Sequence, residues 1–456
     1  MTHLRAARET LLERLFAPVD IAPLVWFRIL FGGLIAWEVV RYFQLGRIDE
    51  GFVAPSFHFH YYGFDWVAPW PGSWMRLHFA ATGILAAAVA LGAAYRVTAP
   101  LLFIAFTYIF LIDQAFYLNH FYLVCLFAGL LILVPAHRAC SIDAWRRPQF
   151  RSATAPAWAI ALLQAQIGIV YFMGGVAKIN GDWLSGEPMR MWLMERPALP
   201  LIGPYVTTAW APYAFSYGGL AVDLALPVLL LWRRTRWFGL IVAALFHLAN
   251  SRLFSIGIFP PLALGATLTL FAADLLPRPF AVLWAAVDAE PRPAPRSAWR
   301  RLVAVGLMVA WCVVQVLVPL RHLAYPGNPE WTEEGHRFSW RMKLRDKDGH
   351  LRLLARNPIS GDGWEIDVSS YLTAGQIDEA ATRPDMILQL AHHVSAEWAA
   401  VHGAPLEIYA DAWASLNGRR RQVLIDPAVN LAAEPRSLRA ARWIVPLRKV
   451  EGGSEK

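Results

Sequence analysis

Apolar residues gather into nine long runs, at about 22–43, 75–94, 97–116, 118–135, 156–178, 212–232, 236–252, 255–275 and 300–320. A helix needs about 20 consecutive apolar residues to cross a bilayer. The pattern therefore predicts about nine transmembrane helices. The separators are shortest between the third and fourth runs and at "NSR", Asn250 to Arg252. After Leu320 the pattern changes. "WRMKLRDKDGHLRLLA" reads as two strand-type runs around a D-G turn, and "PLEIYADAWASLNGRRRQVLID" reads the same way around N-G. Between them "TAGQIDEAATRPDMILQLAHHVSAEWAA" has helical spacing. The expected fold is a polytopic all-α membrane bundle over residues 1–320, followed by a strand-rich α+β domain outside the cytoplasm over 321–456. "EPRPAPRS" reads as a proline-rich linker before the last run, and no internal repeat is visible. No cleavable signal is expected, because the first apolar run is long enough to span and lacks a small-residue cleavage site.

Composition supports a membrane assignment. The chain is 57% hydrophobic and 17% charged, against about 25% charged in soluble domains. The net charge of +8 does not indicate nucleic acid, since no basic-aromatic module accompanies it. Instead the arginines cluster in alternate connections: Arg5, Arg8 and Arg14; Arg96; Arg138, Arg146, Arg147 and Arg151; "RRTR" at 233–236; and "PRPAPRSAWRR" at 291–301. Positive residues favour the cytoplasmic side, so the N-terminus is expected inside and the C-terminal domain outside. The three cysteines, Cys125, Cys140 and Cys312, show no CxxC spacing, which argues against a disulfide framework and a structural zinc site.

Polar residues inside membrane runs are costly and often functional. Asn119 and His120 open the fourth run, Lys178 closes the fifth, and His247 and Asn250 lie near the end of the seventh. With alternating helix directions, all five fall at a similar depth near the outer face. Taken singly, Lys178 reads as a snorkelling interfacial lysine, the histidines as inter-helix hydrogen-bond partners and the asparagines as caps. Taken together they suggest a site. Apolar walls strip hydration from a lysine's charged form, which favours the neutral amine, and a neutral amine can serve as a general base. Two histidines without a nearby carboxylate are an incomplete metal set, and no metal is expected. The first outer loop, "EGFVAPSFHFHYYGFDWVAPWPG" at 50–72, reads either as an interfacial aromatic belt or as the wall of a pocket for a flat apolar ligand.

These stretches resemble the vitamin K-dependent γ-glutamyl carboxylase family, including its bacterial relatives with the HTTM membrane domain. The resemblance rests on "FRILFGGLIAWEV" (27–39), "FHFHYYGFDWV" (57–67), "YLNHFYL" (117–123), "YFMGGVAKINGDWLSG" (171–186), "FHLANSRLFSIGIFP" (246–260), "GHRFSWRMKL" (335–344) and "IYADAWASLNGRRRQVLIDP" (408–427), in that order. It implies Lys178 as general base, assisted by His120 with Asn119 beside it, and a role for His247 with Asn250 nearby. It places the outer loop, with Phe57, His58, Tyr61 and Tyr62, near the naphthoquinol. Phe338, Ser339 and Trp340 match a region tied to the glutamate substrate.

The implied reaction deprotonates vitamin K hydroquinone, consumes O2, removes a γ-proton from a peptidyl glutamate, adds CO2 and releases vitamin K epoxide. The implied partners are the lipid bilayer, the quinol and a glutamate-containing peptide or protein, in what the composition suggests is a bacterial inner membrane. In the animal enzymes a lysine precedes the base, whereas here Ala177 does. The tail also lacks cysteine, so neither an animal-type disulfide to the tail nor propeptide recognition carries over. Two rival readings are a quinol epoxidase without protein carboxylation and a non-enzymatic membrane protein such as a transporter. The latter would be favoured by an inverted repeat.

Overall fold

A computed structural model describes residues 11–196, 203–254, 256–272 and 297–448. Among these, nine helices follow the nine apolar runs: α1 (Ala22–Gln44), α2 (Ser73–Leu91), α3 (Tyr95–Ile112), α4 (Asn119–Leu133), α5 (Ala157–Ala177), α6 (Ala211–Leu231), α7 (Arg236–Leu253), α8 (Phe259–Phe271) and α9 (Ala298–Leu320). Six of them (α1, α2, α3, α5, α6 and α9) are long and apolar enough to cross a membrane, and α4 and α8 are shorter apolar helices. The protein is a helical membrane bundle with a small antiparallel sheet in its C-terminal region.

The boundaries have local causes. The third helix stops at Ile112, short of the expected 116, because Asp113 turns extended (φ −145°, ψ 120°) and its carboxylate accepts the Ala115 N–H at 2.8 Å. That side-chain bond opens a tight turn over Gln114–Phe116. Helix α8 begins only at Phe259, with proline at the position where its missing N–H costs nothing. Ser255 and residues 273–275 of that expected run, like most of the proline-rich linker, lie outside the described residues.

Helix α5 sits centrally, against α4, α6, α8 and α9. One charge in the apolar bundle escaped the sequence reading. Arg28 of α1 is fully buried, with its guanidinium donating to the carbonyls of Ala136 (2.9 Å) and Cys140 (2.5 Å). It thereby satisfies backbone acceptors just past the end of α4.

Ahead of α1 and α5 two short strands, β1 (Pro18–Asp20) and β2 (Thr154–Pro156), pair antiparallel. In the tail, β3 (Lys347–Arg356), β4 (Gly363–Ile366), β5 (Glu407–Leu416) and β6 (Gln422–Val423) form one antiparallel sheet in the order β4-β3-β5-β6. The N-G expectation holds: Asn417 and Gly418 take positive φ (52° and 76°) between β5 and β6. The D-G expectation does not. Asp348 and Gly349 lie inside the single strand β3, paired with Ser415 and Ala414. A Cβ on Gly349 would meet the Ala381 carbonyl oxygen at 2.4 Å, so this glycine admits a neighbouring helix and makes no turn. The helical stretch between the strands is two helices, α10 (Ala374–Ala381) and α11 (Pro384–His402), broken ahead of Pro384. Apolar faces of the sheet and α11 form a second core that includes Leu353, Ile387, Leu390, Ile408 and Leu416.

The aromatic loop at 50–72 ties the two parts together. Ser56 Oγ donates to Tyr371 O at 3.1 Å, and Gln376 Nε2 donates to Phe57 O at 2.9 Å and to Asp113 Oδ2 at 2.8 Å. Arg419 of the tail pairs with Asp182 at 2.5 Å.

Candidate active site

Helix α5 ends in a sequence that cannot continue it. Lys178 is its C-cap (φ −77°, ψ −8°), and two residues later the Asn180 side chain accepts the Trp183 N–H at 3.0 Å, opening the helical turn Gly181–Leu184. Lys178 folds back along the last turn, and its Nζ donates to Gly174 O at 3.3 Å. A cation is well placed beside the final carbonyls of a helix.

The lysine does not snorkel to an interface. It is 7% exposed, and Nζ lies 2.6 Å from Asp223 Oδ2. Asp223 stands in α6, and Gly175 brings α6 this close: a Cβ there would meet Leu224 Cδ2 at 2.7 Å. Trp183 covers the ammonium with its ring centroid 5.4 Å away, and is itself fixed by Nε1 donating to Ser216 O at 2.8 Å. The isolated desolvated lysine of the sequence reading is thus a buried ion pair.

Both partners line a cavity of about 800 Å³, within the size range of ligand clefts. Asn119, His120, His247 and Asn250 line it too, among the apolar walls of Phe121, Ile167, Val170, Phe246, Phe254 and Phe259. His120 stacks edge-on to Phe121 at 4.7 Å. Asn119 Oδ1 accepts from Tyr117 Oη at 2.9 Å, and Tyr117 Oη in turn accepts the Phe338 N–H at 2.7 Å.

His247 is oriented by a directional chain. Tyr171 Oη lies 2.7 Å from His247 Nε2 and 3.0 Å from Thr267 Oγ1, while Thr267 donates its one proton to Ala263 O at 2.8 Å. Tyr171 must then donate to Thr267, which requires the proton on His247 Nε2. His247 Nδ1 is left a bare acceptor, buried and without a partner among the described residues.

Other candidates lie elsewhere. Phe57, His58, Tyr61, Tyr62, Ser339 and Trp340 do not line this cavity. Phe57 packs on the tail core and stacks on His393 at 4.5 Å. His58 Nδ1 meets Asp113 Oδ2 at 3.1 Å. Trp340 is fully buried and stacks on Tyr122 at 5.1 Å. Tyr61 and Tyr62 border a second cavity on the tail side, and Ser339 Oγ bonds to Gly335 O.

Sequence reasoning missed Asp223, Tyr171, Thr267 and Lys343. An aspartate in the middle of an apolar run was the available signal for the first. Lys343 lines the cavity from the tail, its Nζ 5.4 Å from the centre of the Phe254 ring, and burial lowers its pKa. Among the described residues no group of three or more His, Cys, Asp or Glu side chains gathers as metal ligands.

The segment carrying Lys343 is held in an unusual conformation. Phe338, Trp340 and Lys343 all take positive φ (63°, 56° and 49°), conformations that persist only where surroundings impose them. A buried charge network does so: Arg341 Nε meets Glu330 at 2.5 Å, Glu330 also meets His336 at 3.3 Å, and Glu333 meets Lys347 at 3.4 Å and Arg345. Burial opposes the Glu333 charge, but Arg345 and Lys347 bring its carboxyl down to about 2. Burial, reinforced by Arg345, lowers the His336 imidazole.

Two family models match the chain. A model of the HTTM domain matches residues 16–274, and a model of the vitamin K-dependent gamma-carboxylase lumenal domain matches residues 300–450. The chain belongs to the vitamin K-dependent gamma-glutamyl carboxylase family. The first match contains every residue of the Lys178 cavity except Met342 and Lys343, which fall in the second. No solved structure matches the chain.

Proposed function

We propose that this membrane protein carboxylates peptidyl glutamate at the expense of vitamin K hydroquinone, with Lys178 as the general base. The observation that carries the reading is the buried Lys178–Asp223 pair on the wall of a large apolar cavity. The residues suit a quinol: the apolar walls would hold the ring, Lys178 would receive a hydroxyl proton, and His247 Nδ1, unpartnered among the described residues, would accept a further hydrogen bond. When bound, the reduced quinone supplies the reducing equivalents for O2 and is released as its epoxide.

The chain's own work begins with a proton. It passes from Nζ of Lys178 to Asp223 across 2.6 Å, leaving a neutral amine. That amine then takes the proton of the quinol hydroxyl, so the carboxylate does for the amine what dehydration alone was expected to do. Tyr171 and Thr267 hold His247 in one tautomer. Asn119, steadied by Tyr117, orients the ring beside His120. The apolar walls keep bulk water from quenching a strong base. The tail is read as extracytoplasmic on the strength of the alternating arginine clusters.

The test supplies purified protein in nanodiscs with reduced vitamin K, O2, labelled bicarbonate and a glutamate peptide. Epoxide together with fixed label is the expected result. Epoxide without label would replace this reading with quinol epoxidation alone. Neither product from well-folded protein would leave the kinship as one of fold.

A further inference from the structure

A second cavity, of about 880 Å³, lies on the tail side and shares no lining residue with the first. Tyr61, Tyr62 and Gln114 border it from the bundle, Arg321 from the end of α9, and residues 434–444 from the tail. The partition between the cavities is the segment Gly335–Lys343: Gly335, Arg337 and Phe338 face the tail-side cavity, Met342 and Lys343 the inner one. Phe338 fills the partition, with its ring among those of Tyr61, Tyr117 and Tyr122 at 5.8, 5.3 and 4.9 Å. Its N–H is the start of the hydrogen-bond chain through Tyr117 to Asn119 in the inner cavity.

Five arginines line the tail-side cavity. Arg337 is held by Asp385 at 2.7 Å and Arg436 by Asp65. Arg321 is different. Its guanidinium donates only to main-chain carbonyls, Val318 O at 3.3 Å and Arg337 O, and rests over the Phe338 ring at 5.6 Å. It is half-buried, and no ion pair involves it among the described residues, nor the exposed Arg439 and Arg442. The carboxylates here outside any ion pair are Glu334, which accepts the Ala441 N–H at 2.8 Å, and Glu434. A guanidinium that lacks a carboxylate partner beside the partition keeps N–H donors for an incoming carboxylate.

We propose that this tail-side cavity docks an acidic peptide segment, with Arg321 anchoring a side-chain carboxylate and Arg439 and Arg442 receiving further acidic residues. The inference rests on the carboxylase reading and adds to it a location and a charge requirement for the peptide. Tyrosine and arginine walls suit peptide recognition. The partition separates the peptide from the quinol except at Phe338, so an anchored glutamate stands one residue layer from the inner cavity.

The test measures binding without turnover. Fluorescein-labelled pentapeptides containing glutamate, or glutamine in its place, are titrated by anisotropy against the full chain in nanodiscs. Wild type is expected to bind the glutamate peptide and discriminate against glutamine. Arg321→Gln should weaken the glutamate peptide about tenfold or more, as loss of hydrogen bonds to a charged group does, with Arg321→Lys intermediate. The double change Arg439→Gln and Arg442→Gln, at exposed positions that disturb no packing, should weaken binding and flatten its salt dependence. Equal binding of the two peptides, or affinity indifferent to all these changes, overturns the proposal. Selective, Arg321-dependent binding without epoxide or label would sink the carboxylase reading and leave the docking site standing. Product formation with binding indifferent to Arg321 would do the reverse.

Discussion

The Lys178–Asp223 pair can be broken from either side, and its energy is large enough to measure. At 2.6 Å and an effective dielectric of about 20, two unit charges attract by about 6 kcal/mol. Desolvation of each ion offsets several kcal/mol of that, so the intact pair is close to neutral relative to apolar side chains. Removing one partner strands the other in a site where both side chains are under a tenth exposed. Such a stranded charge costs about 3–5 kcal/mol. Asp223→Leu and Lys178→Met should therefore each lose about that much stability, while the double change of the same two residues should regain most of it. The assay is a double-mutant cycle in nanodiscs, read by denaturant unfolding. A coupling energy near zero, with the double variant losing the sum of the two single losses, would refute the buried pair. Asp223→Asn separates structure from chemistry: it keeps the shape and a hydrogen-bond acceptor, so folding survives, but no carboxylate takes the lysine's proton and epoxide formation should fall.

Other predictions test the surroundings. Tyr171→Phe removes the bond that fixes His247 and leaves a buried ring nitrogen unpaired, costing about 1–3 kcal/mol. It should also change the pH profile of quinol turnover, whereas a purely structural tyrosine would lower stability without moving the profile. The tail should weaken on acidification in two stages. His336 is depressed in the fold, so its contribution is present above the ordinary histidine value of about 6.5 and is lost as pH falls below it. Glu333, at about 2, contributes above about 4.3 and loses that contribution as pH falls toward 2. Tail unfolding followed by tryptophan fluorescence against pH should show both declines, and a flat curve from pH 7 to 3 would contradict the network.

The apolar runs were legible because membrane helices carry their signal in composition, and each helix followed a run. The depth coincidence of Asn119, His120, Lys178, His247 and Asn250 was also visible, since alternation of helix direction sets it. Asp223 was legible only as an oddity. Nothing in its neighbourhood says which of eight other helices it faces, and that depends on the close approach at Gly175. The aromatic loop at 50–72 read equally as an interfacial belt or a ligand wall, because the partners that bind it to the tail, Tyr371 and Gln376, lie some three hundred residues away. The two glycine signals in the tail parted for a similar reason. Asn417-Gly418 makes its turn with its own backbone, while Gly349 answers to the Ala381 carbonyl across the fold.

Two lysines line the inner cavity, and only Lys178 is proposed as the base. The most direct measurement is epoxide formation from reduced vitamin K and O2 by wild type, Lys178→Ala and Lys343→Ala, each in nanodiscs and each checked for folding. Lys178→Ala is expected to lose epoxide formation while Lys343→Ala retains it. Epoxide made at the wild-type rate by folded Lys178→Ala protein would contradict that assignment, and loss confined to Lys343→Ala would move the base to the tail.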